Sequence, residues 1–139
     1  MIDESIVIID EEKEKIALEK NVNYYVLLDF WMQALENKKY VRDFFIMRNY
    51  KTIAIYGMAV LGKHLQYQLQ DTLDILYTID RKIITYNQKQ YSMEESIGIL
   101  PKPDVIVVTP VIEYANIKEN ISRFICTDIV SIEEVILSL

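Results

Sequence analysis

The chain is poor in the residues that usually carry enzymatic chemistry or break up a chain. It has one cysteine and one histidine in 139 residues, with three glycines and three prolines. A lone cysteine, Cys126, makes no internal disulfide. It reads as a small hydrophobe buried in an apolar stretch, and a reducing, cytoplasmic compartment is expected. With so few His and Cys, no metal-ligand spacing arises, and no metal cofactor is expected. The scarcity of glycine and proline excludes low-complexity linkers. There is no basic excess: the formal charge is −6. That argues against nucleic acid and against an anionic membrane surface, both of which call for Lys and Arg. No apolar run reaches the roughly 18 residues needed to span a bilayer, so no membrane insertion is expected. The acidic start predicts no secretory signal.

What is present is a globular balance of 51% hydrophobic and 26% charged residues. The length suggests one domain, with a helical extension over residues 1–50 and a core over 51–139. The core is organised around TIAIYGMAVLGKHLQYQLQDTLDILYTID, residues 52–80. Thr52 to Tyr56 is short, apolar and β-branched, as a buried parallel strand should be. Gly57 ends it. Leu61, Leu65 and Leu69 then repeat at helical spacing, and residues 74–79 form a second strand with Asp80 at its carboxyl end. This is a βαβ unit with a Rossmann-type turn.

Upstream, residues 2–9 contain the apolar run Ile6 to Ile9, either a strand or a lead-in. Acidic residues after Asp10 predict a short helix over residues 11–19. Residues 21–36 predict a longer one, with Tyr24, Leu27, Leu28, Trp31 and Leu35 on one stripe. Val22, Tyr25, Val26 and Phe30 make the opposite side apolar as well. Either the other amino-terminal segments cover that surplus, or it lies at a homodimer interface. Residues 40–47 predict another short amphipathic helix.

Downstream, strands are expected at 83–86, 104–109 and 127–130. Ser92–Glu95 and Ser131–Glu134 have capping-box form and should open short helices. Asn87 to Gln90 reads as a polar turn. Tyr114, Ile117, Ile121 and Phe124 make a helical stripe. Five strands alternating with helices predict an α/β fold, a Rossmann-like parallel sheet of order 3-2-1-4-5 with the amino-terminal helices added. A ligand crevice then lies between strands one and four.

The candidate binding residues sit at that crevice. The dinucleotide fingerprint G-x-G-x-x-G runs here as Gly57-Met58-Ala59-Val60-Leu61-Gly62, with Ala59 at the middle glycine. Gly57 permits the tight turn and Gly62 close helix–strand packing. A methyl at Ala59 modestly obstructs a pyrophosphate, yet the helix amides still point at an anion. Asp80 either accepts hydrogen bonds from ribose hydroxyls or caps its strand. Arg81 beside it could instead face a 2′-phosphate, so NAD and NADP both remain open. Thr109 and Pro110 either face the ligand or simply end their strand. Lys63 either reaches a phosphate or is solvated, and His64 reads as a partly exposed helix residue. No nucleophile elbow or complete P-loop is present, so no catalytic residue is assigned.

The runs KTIAIYGMAVLGKHLQYQL, YTIDR, PDVIVVTP and IVSIEEVI resemble the small Rossmann-like, NAD(P)-binding-type modules of bacterial cell-surface polysaccharide systems. Such modules occur beside or fused to glycosyltransferases. The runs are also similar to the nucleotide-sugar-binding domains of sugar acyltransferases. The likeness covers Tyr40 to the carboxyl end. It implies a nucleotide-binding accessory or regulatory module taking NAD, NADP or a nucleotide sugar. The alternatives are an interaction module that has lost its ligand and a small NAD(P)-dependent oxidoreductase.

Overall fold

The computed structural model describes residues 4–139. A single helix, α1 (Glu4–Glu36), opens the chain, followed by α2 (Val41–Met47), β1 (Thr52–Tyr56), α3 (Val60–Leu69) and β2 (Asp74–Asp80). Two short strands, β3 (Ile83–Tyr86) and β4 (Lys89–Ser92), precede α4 (Met93–Ser96) and β5 (Val105–Val108). The chain closes with α5 (Tyr114–Ser122), β6 (Asp128–Ser131) and α6 (Ile132–Leu137). Two separate amino-terminal helices were expected; the structure joins them. Residues 20–23 carry no glycine or proline, and asparagine costs only a few tenths of a kcal/mol in a helix, about 0.7 at most. The run Ile6 to Ile9 is part of this helix, and residues 1–3 lie outside the described residues.

The sheet is six-stranded and mixed, in the order β4-β3-β2-β1-β5-β6. This corrects the expected five-stranded parallel sheet of order 3-2-1-4-5. β1 is parallel to both β2 and β5, and β5 is parallel to β6. β3 is antiparallel to β2, because only Arg81 and Lys82 join them. A parallel return needs a crossover of about a dozen residues or more. The expected polar turn at Asn87 is a second two-residue hairpin, and its far side is β4. Arg81, Lys82, Asn87 and Gln88 all have positive φ, between 50° and 64°. Both hairpins therefore have the left-handed pair that matches strand twist, formed here without glycine.

Side chains alternate across β1 and β5 into two cores. Ile53, Ile55, Val105 and Val107 pack with α1, α2, α3 and α6 through Leu27, Trp31, Phe44, Phe45, Leu65 and Val135. Ala54, Ile106 and Val108 pack on the other face with Ile84, Met93, Ile97 and Ile121. Burying both faces accounts for the wholly apolar β5. Of the expected stripes of α1 and α3, Leu27, Trp31, Leu61, Leu65 and Leu69 are buried, and Tyr24, Leu28 and Leu35 are partly buried against the same core. Ser131 caps α6, accepting from the Glu133 amide at 3.2 Å, whereas the Ser92 side chain makes no cap bond. Cys126 is exposed rather than buried, on the link between α5 and β6.

Two tyrosines tie stability to high pH. The Tyr50 hydroxyl donates to Asp128 Oδ2 at 2.6 Å, bridging the start of β1 to β6. Burial, then this bond, pushes Tyr50 up to about 12. Burial alone pushes Tyr77 up to about 12. The folded state thus keeps protons that the unfolded chain releases near pH 10. Their contribution is complete below that pH and is lost as pH rises towards about 12. The urea midpoint is expected to fall between about pH 9 and about pH 11, and to fall less steeply in Tyr50→Phe.

Candidate functional site

A cleft of about 590 Å³ opens at the carboxyl ends of β1, β2 and β5. It is the size of a small-molecule site. Its floor begins at Gly57, whose φ of +94° turns the chain out of β1. The Gly57 amide donates to Ile79 O at 2.8 Å, tying the turn to β2. A side chain there would strike Thr109 Oγ1 and lie 2.7 Å from Pro110 Cδ. Gly62 does not line the cleft. It sits beneath, where a Cβ would strike the Gly57 carbonyl oxygen, so it sets how closely α3 approaches the turn.

Met58, Ala59, Val60 and Leu61 form the wall at the start of α3. The first bond of that helix's ladder runs from Lys63 N to Ala59 O at 3.0 Å. The amides of Val60, Leu61 and Gly62 therefore have no acceptor within the helix. Ala59 supplies no side-chain cap, and the first turn carries no acid. An anion placed there would meet unopposed N–H groups and the positive end of the helix dipole.

Asp80 and Arg81 form a second side of the cleft, and Thr109 and Pro110 a third. Asp80 is exposed at the end of β2. Arg81 is the first residue of the left-handed hairpin turn, with φ 52°. The Thr109 hydroxyl is engaged by the protein: it points at Gly57 O (2.8 Å) and Tyr56 O (3.1 Å). Its single proton is thus spent on locking β5 to the glycine turn, and only its lone pairs remain for a ligand. Among the expected residues, nine line one cleft: Gly57 to Leu61, Asp80, Arg81, Thr109 and Pro110.

Five further residues complete it: Tyr24, Leu28, Tyr56, Glu113 and Ile117. Tyr56 directly precedes the glycine turn, and its position at a strand end was a usable signal. Burial, with the Asp80 carboxylate adding to it, raises the Tyr56 hydroxyl above the ordinary tyrosine value. Tyr56 is therefore a neutral donor and acceptor at physiological pH, not a base. Glu113 and Ile117 lie one helical turn apart at the start of α5, and Tyr24 and Leu28 one turn apart on α1. Lys63 and His64 are exposed and outside the cleft. His64 instead meets Trp31 edge-on, with ring centroids 6.3 Å apart.

Among the described residues, no group of three His, Cys, Asp or Glu is placed to hold a metal ion. Among them, too, no helix is long and apolar enough to cross a membrane. No family model, no curated protein and no solved structure matches the chain.

Proposed function

We propose that the chain is a Rossmann-type binding module whose cleft takes a dinucleotide or a nucleotide sugar. The observation that carries this reading is the convergence of an uncapped helix start and a strand-end carboxylate on one cleft. Phosphate oxygens would accept from amides in the Met58–Gly62 turn. Asp80 would accept from sugar hydroxyls, with the Tyr56 hydroxyl beside it. Leu28, Val60 and Ile117 offer apolar surface to a base. An accessory or regulatory role in polysaccharide or sugar-nucleotide metabolism is part of the same proposal.

Binding is favoured over catalysis by the chemistry of the lining. The neutral Tyr56 donates and accepts hydrogen bonds but takes no proton. The sole histidine stands outside the cleft, against Trp31. A thermal-shift screen with NAD, NADP, UDP-sugars and CMP-sugars tests the reading, because a ligand of the folded state alone raises the melting temperature. At least one of these is expected to stabilise the protein. Asp80→Ala is expected to weaken that ligand by about 1–3 kcal/mol in calorimetry, the cost of losing a charged hydrogen-bonding group. Preference between NAD and NADP reports whether Asp80 or Arg81 meets the 2′ position. Silence from all four ligand classes at millimolar concentration would overturn the proposal.

A further inference from the structure

The groups able to hold a ligand follow a fixed order across the cleft. The sheet places β1 between β2 and β5, and all three strands are parallel, so their carboxyl ends share one edge. Asp80 ends β2 on one side of the Gly57 turn. On the other side, Thr109 and Pro110 follow β5, and Glu113 stands at the N-cap of α5. These residues line the same cleft. From β2 to β5 is two strand spacings, about 9–10 Å. Between them lies the uncapped start of α3.

The β5 side of this row suits hydroxyl groups and disfavours phosphate. The Thr109 amide donates to Tyr56 O at 2.9 Å, and the Thr109 hydroxyl proton is spent on the glycine turn. Pro110 has no N–H. The strand end therefore offers lone pairs but no donor. Glu113 adds a carboxylate, which only accepts and would repel an anion. Capping does not account for this acid, because its side chain makes no cap bond to α5. Ile117, one turn further along α5, adds apolar surface beside it.

We infer that the cleft reads a sugar–pyrophosphate–sugar unit, with Glu113 as the acceptor for hydroxyls of the second sugar. The inference rests on the nucleotide reading of the cleft and narrows it. Asp80 takes the first sugar, the Met58–Gly62 amides take the pyrophosphate, and Glu113 takes the sugar beyond. A pyrophosphate with its two ester oxygens spans a length comparable to two strand spacings. A single phosphate is shorter by one phosphoanhydride link. Sugar hydroxyls supply the donors that the β5 side lacks. The unit is common to dinucleotides and to sugars carried on a nucleoside diphosphate.

Calorimetry with matched pairs tests it: UDP against UDP-glucose, and ADP against ADP-ribose. In at least one pair the second sugar should tighten binding by about tenfold or more, the worth of a hydrogen bond to a charged group. Glu113→Ala should erase that gain without weakening UDP or ADP. Glu113→Gln, which keeps one acceptor oxygen, should retain part of it. Asp80→Ala should weaken both members of a pair alike. CMP-N-acetylneuraminate, with a single phosphate, should bind more weakly than the favoured sugar ligand. A gain in the UDP pair alone assigns a nucleotide sugar, and a gain in the ADP pair alone assigns a dinucleotide. Diphosphates that bind with no gain from either sugar would overturn the inference and leave the nucleotide reading standing. So would a gain that survives Glu113→Ala. No binding by any of these compounds would overturn both.

Discussion

Gly62→Ala is expected to destabilise the fold by about 3 kcal/mol or more, although alanine is the better helix former. Propensity alone would favour alanine by about 1 kcal/mol. Packing opposes it. The added carbon would strike the Gly57 carbonyl oxygen and lie 3.0 Å from the carbonyl carbon. Both are backbone atoms of a turn held by Ile79 O on one side and Thr109 on the other. No flexible side chain is there to yield, so α3 must move off β1 and take its buried Leu61 and Leu65 with it. Urea unfolding should show a lower midpoint with an unchanged slope. An equal or higher midpoint would mean that α3 is not held against the turn. Ligand affinity in the cleft should fall as well, because the same displacement moves the amides of Val60 and Leu61.

Trp31→Ala is expected to cost about 3–5 kcal/mol, the range for deleting a large buried aromatic side chain. Trp31 is almost fully buried in the core shared by α1, α3 and α6. Its indole N–H donates to Gln68 Oε1 at 3.1 Å, and its ring meets His64 edge-on. Trp31→Phe keeps much of the apolar contact and loses the hydrogen bond, so it should cost less than Trp31→Ala. Gln68→Ala should cost about 1 kcal/mol, the net value of one such bond. These differences, read from urea midpoints, separate packing from hydrogen bonding. Because Leu28 and Tyr24 lie about one and two turns before Trp31, Trp31→Ala should also loosen the α1 wall of the cleft. Equal losses in all three variants would contradict this division of roles.

The local pattern was legible where one short stretch carries its own physics. Residues 52–80 announced a strand, a glycine turn, a helix and a second strand, and the structure has them in that order. Asp80, Thr109 and Pro110 were placed near the turn because strand ends of one parallel set converge. The orientation of β3 was also readable, since two residues cannot return a chain for parallel pairing. What concealed the hairpins was their composition: Arg81-Lys82 and Asn87-Gln88 take left-handed backbone without the glycine that normally marks such turns. The continuity of α1 was hidden by two asparagines that suggest a break but tolerate a helix. Tyr24 and Leu28 could not be found from sequence, because their place at the cleft depends on where α1 crosses the sheet. No local pattern encodes that crossing. The exposure of Cys126 is a similar case, a matter of where the α5–β6 link runs.

Backbone-amide NMR during titration with each nucleotide class tests the central claim most directly. With a nucleotide that stabilises the protein, the proposal predicts concentration-dependent shifts confined to Met58–Gly62, Asp80–Arg81 and the start of α5 near Glu113. Asp80→Ala should move the same amides at higher ligand concentration. Shifts centred elsewhere, or none with any nucleotide at millimolar concentration, would contradict the assignment of this cleft as a nucleotide site.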